Sequence, residues 1–335
     1  MLRKLQDELG ISVAQFLDRY DVDLRYIAGP AYVGPPLAEN TDMWGVKRRV
    51  VHVGAHGAAE DYSEASDSPL ASANSVEEVE RYGHWPSPDW FDYRAIEAQC
   101  DAIRRDARAV VFMGDRLNRV AQLKPAMYLR GVESILTDLA LNPEVAAAIL
   151  MRIRRFYLAY LERILDAARG KIDVVLTGDD FGSQNGPLVS LEMWRRFLKP
   201  GFAEYIGLIK QYDAVAMHHT CGSVAQLIPD MIECRLDVLQ SLQPEARDMS
   251  LADLKQRFGT RLAFHGGVSI QQTMPFGSPA EVRRAVQRIV AAVGTRGGYI
   301  FCTAHNIQAD TPVANVVALL EEYLHAGRTS SAQHS

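Results

Sequence analysis

Short apolar runs recur along the chain, and most of them do not alternate with polar positions. Val, Ile, Leu and Phe dominate these runs, which is typical of strands that are buried on both faces of a parallel sheet. The pattern therefore predicts seven strands, which lie at residues 24–29, 109–114, 173–178, 214–219, 237–242, 262–267 and 298–302.

Helical patterns fill the intervals between these runs. Asn142 followed by Pro143 indicates an N-cap with proline at the first helical position. Ser278 with Glu281 three residues later forms a capping box. Together with apolar periodicity, these signals predict helices from Pro143 towards Ala168, from Ser278 towards Val293, from Ser250 to Phe258 and from Pro312 to His325.

The alternation of strands and helices over the whole length predicts an α/β fold. Seven or eight such units favour a closed (β/α)8 TIM barrel. A doubly wound open sheet is the competing interpretation, but no G-x-G-x-x-G sequence follows an early strand. We expect a single barrel domain over residues 1–326, with 54–88 as a loop excursion. The small polar residues of 327–335 predict a disordered tail.

The composition excludes several classes of protein. A net charge of −5 without a long basic block argues against nucleic-acid binding. No apolar run approaches the roughly 20 residues of a transmembrane helix, and no signal-peptide pattern opens the chain. The 4 cysteines are too sparse for a disulfide scaffold, so we expect a cytoplasmic protein whose cysteines pack, react or bind metal.

Polar residues follow strand after strand of the expected barrel. The C-terminal ends of the strands form the active-site face of a TIM barrel, so side chains at these positions are candidates for chemistry. This placement indicates an enzyme more strongly than any single motif does. The candidates are Asp179, Asp180, His219, Cys221, Gln240, Gln243, His265, Cys302 and His305.

His219 and Cys221 stand two residues apart at the end of an apolar run, so in extended backbone they point the same way. Catalytic zinc usually has three protein ligands and one open position. An isolated H-x-C sequence is more often a matter of packing, but the strand-end placement favours a metal site. The third ligand stays open between Cys302 and His305. His218 is expected to point to the opposite side, where it either packs in the core or supports the ligand residues from behind.

The run "TGDDFGSQNGP" at residues 177–187 places two adjacent acids at a strand end. We expect Asp179 and Asp180 to be catalytic, and Gln184, Gln243 and His265 to bind the substrate. The alternative interpretation of the run is an N-cap and turn cluster, since Asp, Gly, Ser and Asn are common turn residues.

Five segments, in this order, resemble the uroporphyrinogen decarboxylase superfamily, which includes the zinc-dependent, corrinoid-linked methyltransferases. "HTCG" at residues 219–222 matches the H-x-C-G motif of the methyltransferases, and the "RQAGR" sequence of the decarboxylases does not occur. His305 aligns with the position of the second methyltransferase cysteine, where the decarboxylases carry histidine. The segments are 129–144, 176–190, 219–233, 254–286 and 297–320.

The resemblance implies a TIM barrel, and members of that superfamily usually have about one further strand before a segment such as 24–29. Either the start of the sequence is late, the first strand is replaced, or a partner supplies it. The resemblance also implies zinc bound by His219, Cys221 and His305, with Cys302 as the alternative third ligand. A methyl group would pass between a small substrate and cobalamin. We expect the cobalamin on a separate corrinoid protein, because no D-x-H-x-x-G sequence occurs in the chain. A homodimer is compatible with the resemblance.

The ligand set affects which substrate is expected. A neutral imidazole in place of a second thiolate leaves the zinc site less negative and therefore a stronger Lewis acid. That favours an oxygen substrate, for example a methoxylated aromatic compound, over a thiol. Two alternatives stay open: a metal-free, decarboxylase-like lyase, and a barrel that binds a ligand without catalysis.

Overall fold

A computed structural model describes residues 1–53, 60–114, 119–293 and 297–332. A strand overlaps each of the seven apolar runs, to within three residues at either end, so the strand predictions are confirmed. The strands are β1 (Leu24–Tyr26), β2 (Ala31–Tyr32), β3 (Lys47–Val53), β4 (Glu60–Asp67), β5 (Phe91–Asp92), β6 (Ala109–Phe112), β7 (Val174–Gly178), β8 (Val215–His219), β9 (Val238–Leu242), β10 (Ala263–Val268) and β11 (Tyr299–Thr303).

Seven of these strands form one sheet, in the order β1-β6-β7-β8-β9-β10-β11. Every neighbouring pair is parallel. Helices pack around the curled sheet, and strands such as β7 are buried along their whole length, as expected for a sheet covered on both faces. The TIM-barrel type of fold is therefore confirmed. Within the described residues, no ladder of hydrogen bonds joins β11 to β1.

The helices occupy the intervals that the sequence predicts. Ser278 and Glu281 form the expected capping box, with Ser278 N donating to Glu281 Oε2 at 2.7 Å and Glu281 N to Ser278 Oγ at 3.4 Å. A 3-10 turn spans Pro88–Trp90, and a π-helical segment spans Trp194–Leu198. The α-helices are α1 (Leu2–Leu9), α2 (Val13–Arg19), α3 (Val76–Glu80), α4 (Ile96–Arg104), α5 (Leu123–Arg130), α6 (Val132–Leu141), α7 (Pro143–Ala168), α8 (Leu191–Met193), α9 (Lys199–Gln211), α10 (Ile228–Glu233), α11 (Leu251–Phe258), α12 (Thr273–Phe276), α13 (Pro279–Val293) and α14 (Val313–Ala332).

The C-terminal helix is longer than the sequence suggests. α14 continues to Ala332, so residues 327–332, which we expected to be disordered, are helical, and 333–335 lie outside the described residues. A helix extends at little cost once it has formed, and a glycine such as Gly327 weakens a helix by only about 1 kcal/mol. None of the described helices is both long and apolar enough to cross a membrane.

The segment 54–88, expected as a loop excursion, carries more secondary structure than a loop. Residues 54–59 lie outside the described part of the chain. From residue 60 onwards the segment supplies β4, which pairs with β3 in an antiparallel hairpin, and then α3. Leu70, Ala73 and Val79 are buried in the main hydrophobic core. This segment therefore packs against the barrel, and burial of these side chains holds it in place.

Candidate active site and metal centre

Three potential metal ligands meet at the C-terminal ends of β8 and β11. His219 is the last residue of β8, Cys221 stands two residues after it, and His305 comes two residues after the end of β11. One ligand atom from each lies within 4.8 Å of the others. The distance from Cys221 Sγ to His219 Nε2 is 3.4 Å. Two ligand atoms on a tetrahedral zinc ion, at bond lengths of about 2.0 and 2.3 Å, would lie roughly 3.5 Å apart.

The other nitrogen of His219 is fixed by β9. Nδ1 lies 2.5 Å from the amide oxygen of Gln240, an oxygen that can only accept a hydrogen bond. Nδ1 therefore carries the proton, and the lone pair of Nε2 faces Cys221. Metal-binding histidines are commonly oriented by such a second hydrogen bond. The sequence placed Gln240 at a strand end but did not indicate this role, which depends on the register between β8 and β9.

Burial sets the protonation states of the cluster. Burial lowers the pKa of His219 to about 4 and also lowers the pKa of His305. For Cys221, burial and the nearby Asp180 carboxylate raise the pKa of the thiol to about 11. At neutral pH the metal-free cluster thus holds two neutral imidazoles and a protonated thiol. A metal must displace the thiol proton in order to bind sulfur.

Two glycines allow the loops after β7 and β8 to interlock. Gly222 has φ +79, and a Cβ on it would stand 2.6 Å from the backbone of Gly182. A Cβ on Gly182 would in turn stand 2.7 Å from the carbonyl oxygen of Cys221. Ser223 N donates to Ser183 O at 2.7 Å across the same contact. The glycine of "HTCG" is therefore needed where the backbones approach closely, and the contact positions Cys221.

Asp180 lies between the cluster and a lysine. Its Oδ2 accepts a hydrogen bond from Lys124 Nζ at 2.5 Å, and its Oδ1 stands 3.7 Å from His219 Nε2. Burial tends to raise the pKa of Asp180, but the Lys124 ammonium outweighs burial and holds this pKa at about 2. Asp180 is therefore a carboxylate at neutral pH, and it lies beside the candidate metal ligands and on the wall of the pocket described below.

Asp179 is engaged with the backbone of a helix. Its Oδ2 accepts from Gln122 N at 2.7 Å and from Leu123 N at 3.0 Å, and its Oδ1 accepts from Lys124 N at 2.7 Å. Only 3% of the residue is exposed. Burial raises the pKa of Asp179 to about 7, while the three N–H donors oppose that rise. The carboxylate therefore caps the start of α5, and its catalytic role stays a prediction.

A pocket of about 260 Å³ opens beside the cluster. Its wall combines aromatic rings with cationic side chains, and His219 and His305 form part of it. Most of these residues belong to no sequence pattern that indicates a site. Asp42 and Gly45, on either side of Trp44, are common turn residues, and they predict a turn there but not a pocket. The lining consists of Trp44, Arg48, Arg119, Ala121, Lys124, Pro125, Tyr128, Tyr157, Gly178, Asp179, Asp180, His219, His305 and Asn306.

The pocket lining does not include the three residues expected to bind substrate. Gln184 is exposed on the loop after β7. Gln243 and His265 are buried, and neither Gln243 Nε2 nor His265 Nδ1 has a hydrogen-bond partner among the described residues. Cys302 also lies outside the cluster of possible metal ligands in the described part of the chain. The substrate roles of the three residues stay predictions.

His218 points away from the cluster, as the sequence predicts. Its ring stacks on Phe181 with centroids 5.3 Å apart and meets Phe202 edge-on at 4.8 Å. Its Nδ1 lies 2.8 Å from Thr177 Oγ1. Burial lowers the pKa of His218 to about 3. The prediction of a core histidine is confirmed.

Comparisons with known proteins agree with this architecture. A family model described as "Uroporphyrinogen decarboxylase (URO-D)" matches residues 75–324. A protein named uroporphyrinogen decarboxylase, from Sodalis glossinidius (strain morsitans), is 32% identical over 84 residues, which are 25% of this chain but only 20% of that relative. A solved structure described as "methyltransferase from Methanosarcina mazei" has a TM-score of 0.65 and 16% identity, and the match covers 96% of this chain and 90% of that one. At 16% identity this likeness shows a shared fold.

Proposed function

Because the chain belongs to the uroporphyrinogen decarboxylase family, we propose that it is the zinc-dependent methyltransferase type of that family. It moves a methyl group between a small substrate and the cobalamin of a separate corrinoid protein. The observation that carries the proposal is the cluster of His219, Cys221 and His305 beside the pocket. The Methanosarcina mazei protein, which is described as a methyltransferase and has the same fold, supports the reaction class.

The donor set of the cluster fits zinc. One sulfur and two imidazole nitrogens are ligands that zinc takes readily, and three protein ligands leave a fourth position for substrate. Since His219 and His305 line the pocket, a substrate in the pocket can reach that position. Zinc held there would act as a Lewis acid on the substrate heteroatom. With one thiolate in the set, the site favours an oxygen substrate, for example a methoxylated aromatic compound.

The protein groups around the cluster have distinct tasks in this proposal. Gln240 holds His219 in the tautomer that presents Nε2. Asp180 stays ionised beside Lys124 and contributes negative charge at the pocket wall. The pair positions the polar end of a substrate, and Lys124 can donate hydrogen bonds to an oxygen anion that forms there. Asp179 fixes the backbone of Lys124, because its carboxylate accepts a hydrogen bond from Lys124 N and so caps α5.

A second candidate function is a metal-free carboxy-lyase. Its support is the similarity of 84 residues to a protein named uroporphyrinogen decarboxylase and the cations of the pocket wall, which suit carboxylates. In that case Cys221 would contribute packing only. The thiol and the two imidazoles gathered within 4.8 Å favour the metal-dependent reaction.

Metal analysis separates the two candidates. We expect about one zinc per chain in purified protein by mass spectrometry, and loss of zinc in His219→Ala, Cys221→Ala and His305→Ala. Zinc X-ray absorption should show one sulfur neighbour at about 2.3 Å and shorter bonds to nitrogen or oxygen. Cys302→Ser and Cys234→Ser serve as matched cysteine controls and should keep the metal.

Three outcomes would contradict the assignment. Full zinc occupancy in Cys221→Ala would remove Cys221 from the ligand set. Two sulfur neighbours, or loss of zinc in Cys302→Ser, would make Cys302 the third ligand in place of His305. Wild-type protein that stays metal-free after incubation with zinc would favour the carboxy-lyase.

A further inference from the structure

Arg48 lines the pocket and carries a buried cationic donor that has no hydrogen-bond acceptor. Its side chain, on β3, is only 9% exposed and lines the pocket wall. Nε donates to Asp42 Oδ2 at 2.7 Å, and Nη2 lies 2.7 Å from the same oxygen. Nη1 and Nη2 are both buried, and neither makes a hydrogen bond of good geometry among the described residues, although Nη2 stays in ion-pair contact with Asp42. Burying a charged donor without an acceptor is costly, so the arrangement indicates that a ligand supplies one.

The guanidinium is held in place before any ligand arrives. Its Cζ lies 4.5 Å from the centroid of the Tyr128 ring, a cation–π contact. Asp42 is fixed in turn, because its Oδ1 accepts from Trp44 N at 2.9 Å and from Val46 N at 3.1 Å. A rigid planar fork with an available donor is suited to a carboxylate.

The rest of the pocket favours a flat ring. Trp44, Tyr128 and Tyr157 all contribute to its wall. Trp44 is itself locked, since its ring meets Phe156 edge-on at 5.1 Å between centroids. The volume of about 260 Å³ is just below the range of roughly 300–1,000 Å³ for sites of drug-sized ligands. The pocket therefore suits a molecule with a single ring.

We propose that Arg48 binds the carboxylate of an aromatic substrate with one ring, whose ring packs against the aromatic wall and whose methyl-bearing oxygen faces His219 and His305. The assignment of this molecule as the methyl-group substrate rests on the proposed function. The binding of an aromatic carboxylate at Arg48 does not, because it needs neither zinc nor a corrinoid protein. Arg48 is thus a specificity-determining residue on an element outside the parallel sheet.

The test compares two probes that differ in charge at one end, 4-methoxybenzoate and the neutral 4-methoxybenzamide. Calorimetric titration of the full chain should show that wild type binds the carboxylate at least about tenfold more tightly than the amide, as expected for a hydrogen bond to a charged group. Arg48→Gln should reduce this preference to about threefold or less. Arg48→Lys keeps the charge but loses the fork and should give an intermediate preference.

Arg49→Gln is the matched control, because Arg49 is the next residue of β3, is exposed, and does not line the pocket. It should keep the preference of wild type. The proposal is overturned if wild type binds the amide as well as the carboxylate, if it binds neither probe, or if Arg48→Gln keeps the preference. Zinc content is measured on the same samples. A metal-free protein with an Arg48-dependent preference would refute the proposed function alone, whereas normal zinc without the preference would refute this inference alone.

Discussion

At the scale of single residues, the hydrogen bond from His219 to Gln240 determines how the cluster meets a metal. It leaves Nε2 as the nitrogen with a lone pair, and burial keeps the ring neutral with a pKa of about 4. Cys221 is the opposite case, since burial and Asp180 raise the pKa of its thiol to about 11. The imidazoles are ready to bind, whereas the sulfur must first lose a proton.

Zinc binding should therefore release about one proton per ion at pH 6.5. The proton comes from Cys221, whose pKa of about 11 keeps it protonated there. His219 has nothing to release, because its pKa is about 4. Apparent zinc affinity should consequently rise with pH until the thiol pKa is passed. Calorimetric titrations of zinc in buffers with different enthalpies of ionisation measure the count.

The control for this measurement is Cys234→Ser, which removes a cysteine outside the cluster and should release the same number of protons. A count near zero would mean that Cys221 is already a thiolate or is not a ligand. A count near two would bring in a second thiol, and repeating the titration with Cys302→Ser would identify it.

Residues that were predictable from the sequence share one property, which is a position at a strand end. His219 and Cys221 stand where a short apolar run stops, so their meeting at the barrel mouth follows from local pattern alone. Arg48 and Trp44 were not predictable, because a hairpin outside the parallel sheet and the turn before it bring them to the pocket. Gln243 and His265 also stand near strand ends but lie outside the pocket lining.

At the scale of elements, Asp179 joins the end of β7 to the start of α5. Its carboxylate accepts three backbone N–H groups from residues 122–124, donors that a helix start leaves without intrahelical partners. Lys124, which pairs with Asp180, belongs to the helix that is capped in this way. The cap therefore also sets the position of a cation in the pocket.

Asp179→Asn should destabilise the protein by about 1–3 kcal/mol, because the amide group keeps one acceptor oxygen and turns an NH2 towards backbone donors. We expect a clear fall in Tm together with reduced activity. Asp180→Asn is the matched control, since it leaves the cap intact and should shift Tm less. Thermal melts followed by circular dichroism provide the measurement.

The sequence predicted a catalytic role for Asp179. The thermal melts described above, taken together with activity, also test that role. If Asp179→Asn melts like wild type yet loses activity, the carboxylate acts on substrate and the cap contributes little. The cap itself was not predictable, because its helix lies more than 50 residues away in sequence. α13 was predictable, because its capping box is a signal carried by neighbouring residues of the sequence. Contacts between residues that are far apart in the sequence leave no such signal.

At the scale of the whole molecule, the parallel sheet has two ends. β1 pairs with β6 and β11 pairs with β10, and within the described residues neither has a second neighbour. The sequence predicted the positions of the seven strands correctly, but β1 and β11 at the two ends of the sheet are only partly buried. The sequence could not show whether the first and last strands meet, because closure depends on the stagger of all strands together.

Hydrogen exchange should reveal these ends. Backbone amides of β1 and β11 should exchange faster than those of β7 and β8, which have neighbours on both sides. Exchange followed by mass spectrometry on peptides from the four strands gives the comparison. Equal protection of all four would mean that the barrel closes between β11 and β1 in solution, and slower exchange at the ends would contradict the sheet order.

The cluster residues and the aromatic and cationic residues of the pocket wall come from different parts of the fold. The candidate metal ligands lie at or just after the ends of strands in the parallel sheet, where a change disturbs the framework, whereas Arg48 and Trp44 come from the β3–β4 hairpin and the turn before it. Relatives could therefore exchange the hairpin and acquire new substrates while the reaction centre stays the same. For protein engineering, residues 42–48 are the place to begin changing selectivity.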